Sequence, residues 1–329
     1  MANILITGAN GFIGSHLTEK FLKEKHNVYC FVRKTSDLSL LKDKNVHLRY
    51  GDITDYKSLK DALIGIDIVI HNAGLASDWG SIDLFRRINL VGTKNIAEAS
   101  SKNGISRIVF ISTTAIYGFN HKSEVTESSK TNPTYNYAFS KLEAEEFLFS
   151  FGKKNNIDIT VIRPGNVYGP DDHTFIEKYI AAMLNNQIAF INHGKSLTCP
   201  TYVTNLTDAV YLATFSAKAN NEAFNITDGL KINWNEFTEA IADELEMPNP
   251  KLSIPLSFAL FLASISEWLY KLFKIKHPPL LTRYRMYNGG TNYTFSVQKA
   301  KNLLQYTPQV DFKSGIKNTI NWYKKKHFK

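Results

Sequence analysis

The chain has 329 residues, 43% hydrophobic and 21% charged, with two cysteines and a net charge of +9. At roughly 150 residues per domain this is one large domain or two packed together, and the balance excludes a disordered, fibrous or disulfide-stapled chain. Only eight of the 39 basic residues are arginine and the lysines are scattered, so no arginine-rich nucleic-acid face is expected.

Residues 2–7 read as a short buried strand rather than a secretory signal, followed by glycines at 8, 11 and 14 and a helical pattern to about Lys25. Further apolar runs lie at Val28–Val32, Val46–Tyr50, Asp67–His71, Arg107–Ser112 and Asp158–Arg163. Helical stretches fall near 55–64, 83–102 and 137–154. Continuous β-branched runs alternating with amphipathic helices predict an α/β fold, a doubly wound parallel sheet of Rossmann type. Residues 1–165 are expected to hold the dinucleotide, with segments near 200–226 completing the sheet. Residues 166–329 are expected to form mainly a smaller C-terminal substrate-binding lobe.

The loop Thr7-Gly8-Ala9-Asn10-Gly11-Phe12-Ile13-Gly14 follows a strand and opens a helix, the context that gives a glycine pattern meaning. Gly8 permits the tight turn, Gly11 lets a pyrophosphate approach the backbone, and Gly14 lets helix and strand pack closely. The helix N-terminus then offers N–H donors to phosphate, so Gly8, Asn10, Gly11, Phe12, Ile13 and Gly14 are candidate cofactor contacts. At the end of the second strand Val32 stands where an NAD enzyme usually places an acid, and Arg33 and Lys34 follow. That charge pattern favours NADP over NAD, with a surface role for both cations as the alternative. Asp52, with Ile53, is a candidate for the adenine amino group.

Tyr137 and Lys141 lie one helical turn apart on one face. A tyrosine ionising near pH ~10 is a poor base, and a neighbouring ammonium lowers its pKa enough to exchange a proton with a substrate oxygen. Six motifs occur in order: the glycine loop, Val69-Ile70-His71-Asn72-Ala73-Gly74, Asn89-Leu90-Val91-Gly92-Thr93, Ile111 to Gly118, Tyr137-x-x-x-Lys141, and Arg163 to Pro170. The set resembles the extended short-chain dehydrogenase/reductases, which include nucleotide-sugar epimerases and dehydratases, dihydroflavonol reductases and 3β-hydroxysteroid dehydrogenases. The resemblance implies that Tyr137 is the acid/base and that Lys141 lowers its pKa and holds the nicotinamide ribose. It further implies that Thr113 holds the substrate oxygen, with Thr114 the neighbour most easily confused with it. Asn72, Ala73 and Gly74 would line the cofactor's path and Asn89 support the site, while Pro164, Gly165 and Val167 would meet the nicotinamide end. The helices near 83–102 and 137–154 would form a homodimer interface.

Thr114 and Ala115 replace the Asp-Glu pair of the sugar dehydratases, which argues against that activity. By hand alignment Thr198 takes the place of one diphosphate-clamping arginine of the epimerases; the second falls near Met286, where Arg285 could restore it. The segment Pro255–Phe273 is apolar on most of its circumference and reads as a buried helix, a lipophilic pocket wall or a membrane-docking surface. With 277–285 and 293–300 it resembles the 3β-hydroxysteroid-dehydrogenase-like branch. The leading expectation is a cytoplasmic NADP(H)-dependent alcohol/ketone oxidoreductase acting on a hydrophobic small molecule, with membrane contact at most peripheral. The alternatives are a nucleotide-sugar epimerase with tightly bound NAD and a non-catalytic NADP sensor. No metal site is expected: the nine histidines lack ligand spacing, and Asp171-Asp172-His173 reads as a solvated turn. Cys30 reads as core, and Lys324–His327 as a solvated tail.

Overall fold

The computed structural model describes residues 1–119 and 124–328. Seven parallel strands form the central sheet: β1 (Asn3–Thr7), β2 (Asn27–Val32), β3 (His47–Tyr50), β4 (Ile68–His71), β5 (Arg107–Ile111), β6 (Asp158–Pro164) and β7 (Glu222–Ile226). Their spatial order is β7-β6-β5-β4-β1-β2-β3. The order reverses between β1 and β4, so the loops leaving those strands diverge and open a crevice at their carboxyl ends.

Side chains alternate between the two faces of the sheet, which explains the unbroken apolar runs. Ile4, Ile6, Val28, Cys30 and Val109 enter one core with α1 (Phe12–Lys23) and, later in the chain, α7 (Val203–Phe215). Leu5, Phe31, Val69, Ile108 and Phe110 enter the other, against α2 (Tyr56–Ala62), α4 (Gly92–Lys102) and α5 (Asn136–Asn155). With helices on both faces, every strand position favours an apolar residue. The edge strand β3 is the exception, with His47, Leu48 and Tyr50 exposed. The expected helix near 83–102 is helical throughout but changes pitch within it. A short α3 (Ile82–Phe85) passes through a π-helical stretch, Arg86–Val91, before α4 begins.

Helices α6 (Ile176–Leu184), α8 (Trp234–Glu244) and α12 (Phe312–His327) share a third core of Ile180, Met183, Phe237, Ile241, Ile316 and Ile320. The terminal Lys324–His327 run is therefore no loose tail: it ends α12, where Lys326 and His327 both engage Glu177. Nor is Asp172 solvated. It is fully buried and accepts from the backbone N–H groups of Thr174, Phe175 and Ile176 at the start of α6. Helices α9 (Leu256–Leu272), α10 (Arg283–Gly290) and α11 (Gln298–Leu304) complete the chain. Only Ala259 and Ala263 of α9 are buried, which excludes the reading of this segment as a buried helix.

The closest backbone approach is at Gly14, where a Cβ would stand 2.0 Å from the Gly8 oxygen and 2.8 Å from the Ala9 Cα. Neither backbone atom can swing aside. Gly14→Ala will therefore cost about 1–3 kcal/mol, read as a lower urea midpoint at unchanged slope. An unmoved midpoint would contradict this packing.

Candidate active site

Gly8 takes a φ of +65°, and a Cβ there would meet the Ala73 Cα at 2.9 Å, so the loops after β1 and β4 touch. Gly11 closes the turn by donating to the Gly8 carbonyl at 3.1 Å, then caps α1 without any side-chain hydrogen bond. The N–H groups of Phe12 and Ile13 thus open a helix whose first turn carries no acid and no side-chain cap. That is the arrangement a phosphate needs. No part of the chain crowds Gly11: its Cβ would meet only the Gly8 oxygen, at 3.4 Å.

The Thr7 hydroxyl accepts from the N–H groups of Asn72 and Ala73, so its own proton goes to His71 Nδ1 at 2.8 Å. His71 Nε2 must then carry the ring's proton, which it gives to the Thr93 hydroxyl at 2.9 Å. Thr93 in turn donates to the Asn89 carbonyl at 2.5 Å. The Asn89 side chain accepts from the Leu75 N–H and donates to the Leu75 carbonyl and the Ser140 hydroxyl. Gly74 faces it, where a Cβ would lie 3.1 Å from Asn89 Oδ1 and 3.9 Å from Lys141 Nζ. The expected residues 72–74 and Asn89 therefore meet at one place.

At the other end of the crevice Arg33 and Lys34 are exposed, and the Asn10 side chain donates to the Asp37 carbonyl. Partial burial pushes the Asp52 carboxyl up, but hydrogen bonds from Thr54 and the charges of Arg33 and Arg87 bring it below its ordinary value. Arg87 was not singled out by the sequence, and it adds a second arginine near Asp52. Ile53 packs where a Gly92 Cβ would be, 2.7 Å from its Cδ1.

Thr113 and Thr114 separate cleanly. Thr113 is half-buried and hydrogen-bonds to the Tyr137 phenol, whereas Thr114 is buried with its hydroxyl between the Pro164 carbonyl and Tyr293. Burial pushes the Tyr137 phenol up, Tyr284 adds to this, and the Thr113 bond opposes it. One turn on, Lys141 is buried with its ammonium 2.5 Å from the Ile111 carbonyl and 4.0 Å from the centre of the Phe110 ring. Burial brings Lys141 down to about 7, against the pull of Glu145. Gly165 and Val167 lie just beyond β6. A Gly165 Cβ would meet the Cys199 carbonyl at 2.6 Å, and Val167 packs on the first core.

A further layer escaped the sequence reading. Glu145 and Arg163 are both buried, with Arg163 Nη2 2.6 Å and Nε 3.1 Å from Glu145 Oε2. The Ser112 hydroxyl donates to Glu145 Oε1, and Arg163 Nη1 lies 2.6 Å from the Tyr117 hydroxyl, which donates to Asn225. Glu145 falls on the Tyr137–Lys141 face of α5, a spacing that could have revealed it, and Arg163 directly precedes Pro164.

Tyr137 opens into a cavity of about 1060 Å³ walled by Phe85, Phe119, Tyr135, Tyr284, Tyr287 and Trp79. Lys271, Lys274 and Lys276, at the end of α9 and just beyond it, also line it. The Arg285 guanidinium is held by Asp78 at 2.7 Å and by the Leu280 carbonyl. Asn166 is turned to the buried Thr198 at 3.0 Å.

The NAD dependent epimerase/dehydratase family model matches residues 4–227. The chain is 26% identical over 324 residues to a 2-alkyl-3-oxoalkanoate reductase of Stenotrophomonas maltophilia, covering 95% of this chain and 97% of that one. It is 27% identical over 327 residues to the decarboxylating sterol-4-alpha-carboxylate 3-dehydrogenase of Mus musculus, covering 96% and 89%. In fold it matches the UDP-glucose 4-epimerase of Thermotoga maritima, solved with UDP-glucose, with a TM-score of 0.81 at 24% identity over 98% and 99% of the two chains.

Glu145→Ala strands a buried guanidinium and will cost about 3–5 kcal/mol in urea unfolding, while the double variant Glu145→Leu/Arg163→Met recovers much of that loss. Equal losses in the two would refute it. His71 gives a pH signature. Burial, with the Lys141 charge, lowers it from 6.5 to about 3. Its contribution is complete above 6.5 and falls as pH drops towards 3, because only the unfolded chain takes up the proton. In unfolding curves across that window His71→Gln will flatten the decline; an unchanged slope would contradict the assignment.

Proposed function

Since the chain belongs to the NAD dependent epimerase/dehydratase family, as an NAD(P)-dependent enzyme of the extended short-chain dehydrogenase/reductase type, we propose that it interconverts an alcohol and a ketone on a hydrophobic substrate, using NADP(H). The observation that carries this reading is the opening of Tyr137, beside Thr113, into an aromatic-walled cavity.

The residues present fit a nicotinamide dinucleotide. Gly8, Gly11 and Gly14 leave the loop open, and the backbone of Asn10, Phe12 and Ile13 would hold the pyrophosphate. Asp52 and Ile53 would take the adenine; Asn72, Ala73, Gly74, Asn89, Pro164, Gly165 and Val167 would line the path to the nicotinamide. When bound, the dinucleotide supplies or accepts the hydride. Tyr137, kept protonated by burial, donates its proton to the ketone oxygen as the alcohol forms, and takes it back in the reverse direction. Thr113 holds that same oxygen. Lys141, one turn from Tyr137, would hold the nicotinamide ribose; the expected lowering of the Tyr137 pKa by its ammonium is not seen here, where burial pushes the phenol up and Lys141 is not among the groups that act on it. Arg33, Lys34 and Arg87 favour a 2′-phosphate by charge.

In this reading residues 1–165 with β7 serve the cofactor and 166–329 mainly the substrate. Exposed Val91, just before α4, and Phe139 on α5 suit a homodimer formed through the helices near 83–102 and 137–154. The buried, unpaired Cys30 and Cys199 suit a reducing, cytoplasmic setting. An epimerase reading is weakened by the commitment of Arg285 to Asp78 and by Thr198. A sensor would have no use for Tyr137 set against Thr113.

Intrinsic fluorescence will show NADPH bound more tightly than NADH, and Arg33→Ala will reduce that preference by about 10-fold or more, the worth of one charge-assisted hydrogen bond. NADH preference in the unaltered protein would overturn the cofactor assignment. Tyr137→Phe will lower kcat by about 10²–10⁴ with NADPH affinity unchanged. A kcat within a few-fold of the parent would remove Tyr137 from its role.

A further inference from the structure

Helix α9 presents to solvent what a soluble helix normally buries. Phe258, Phe261, Ile265, Trp268 and Leu272 recur at three- and four-residue spacing, which places them on one face. All are exposed, with Phe261 at 60%, Trp268 at 61% and the adjoining Phe273 at 69%. The opposite face, with Ala259 and Ala263, is turned inward, and α9 packs on α10. No described helix is long and apolar enough to cross a membrane. At about 1.5 Å per residue, the 17 residues of α9 also fall short of the roughly 30 Å hydrocarbon core.

The charges around this face have one sign. Lys251 precedes α9, and Lys271, Lys274 and Lys276 are exposed at its far end, in a chain of net charge +9. Glu267 is the acid within the helix, and Arg283 neutralises it at 3.0 Å. An apolar stripe with aromatic residues and a lysine fringe is the pattern of a helix lying in the plane of a membrane interface. A two-fold contact between copies of this chain would set the same lysines near one another, whereas anionic headgroups complement them.

The same three lysines line the cavity that reaches Tyr137, together with Tyr270 and Ile275. The end of α9 thus has two faces: Glu267, Tyr270 and Lys271 border the cavity, while Trp268, Leu272 and Phe273 face outward. We infer that α9 docks this enzyme on a bilayer containing anionic phospholipid, its Phe261–Trp268–Leu272 face in the interface and its lysines among the headgroups, so that the cavity opens at the lipid surface. The delivery of a lipophilic substrate by this route rests on the proposed function; the docking itself does not.

The test is co-sedimentation of the full chain with vesicles of phosphatidylcholine alone or with one quarter phosphatidylglycerol, at low salt and at 0.5 M NaCl. The double variant Phe261→Asp/Trp268→Asp runs in parallel, with NADPH titration as the check on its fold. Binding at least ten-fold stronger to the anionic vesicles, reduced by salt and lost in the variant while NADPH affinity holds, is the expected result. Binding that ignores phosphatidylglycerol, or that the variant retains, overturns the inference. So does a parent dimer in sedimentation velocity that the variant converts to monomer, because the face would then join copies. A variant that loses NADPH binding is replaced by Phe258→Ser/Phe261→Ser under the same criteria. Turnover of a water-soluble short ketone is measured separately: vesicle binding without any turnover would sink the proposed reaction and leave the docking standing, and turnover without vesicle binding would do the reverse.

Discussion

The buried pairing of Glu145 with Arg163 is the constraint on which the reactive end of the molecule depends. Taking a carboxylate and a guanidinium out of water costs several kcal/mol per ion, recovered only if both find full sets of partners. Here Ser112, after β5, donates to the carboxylate and Tyr117, in the following turn, accepts from the guanidinium and is itself held by Asn225 on β7. Sliding α5 along the sheet by one residue would break the bonds of Glu145 to both Arg163 and Ser112. Because Tyr137, Lys141 and Glu145 share one face of α5, fixing Glu145 also fixes the height of the phenol and the ammonium above the strand ends. Thr113 and Pro164, each adjacent to a member of the ion-pair network, are held by the same constraint. A second network, from Thr7 through His71 and Thr93 to Asn89, ties the glycine loop to the opposite wall. Between them, the two networks hold both sides of the crevice.

Much of this was legible in the sequence because it follows from local chemistry. Strands buried on both faces must be apolar throughout, so Ile4–Ile6 and Ile68–Ile70 announce themselves. A glycine loop between such a strand and a helix has few other uses. What was not legible depended on distant partners. Glu145 reads as the polar face of a helix until Arg163 is seen beside it. The resemblance points to Thr113 rather than Thr114, but it does not show where Thr114 goes: in the short 3-10 turn at Thr114–Tyr117 its hydroxyl is turned to the Pro164 carbonyl. The π-helical stretch at Arg86–Val91 carries Asn89, whose side chain reaches both Leu75 and Ser140, and no periodicity encodes it. Asp172 looks solvated because acids in turns usually are, yet here it satisfies the N-terminus of α6. The pattern of α9 is the same whether its apolar face meets protein or lipid.

From the cleft outward, the polar machinery gives way to an aromatic wall, then to lysines, then to an exposed apolar helix. The arginines that would favour a diphosphate are absent or committed elsewhere, as Thr198 and the Arg285–Asp78 pair show.

The central claim is net hydride transfer between cofactor and a hydrophobic carbonyl, and isotope transfer tests it most directly. Incubating the protein with NADPH deuterated at C4 and a panel of long-chain and polycyclic ketones should place one deuterium on the carbinol carbon for each NADPH oxidised. Deuterium that never leaves the cofactor, while a nucleotide sugar is epimerised in the same preparation, would contradict the account and make the enzyme an epimerase.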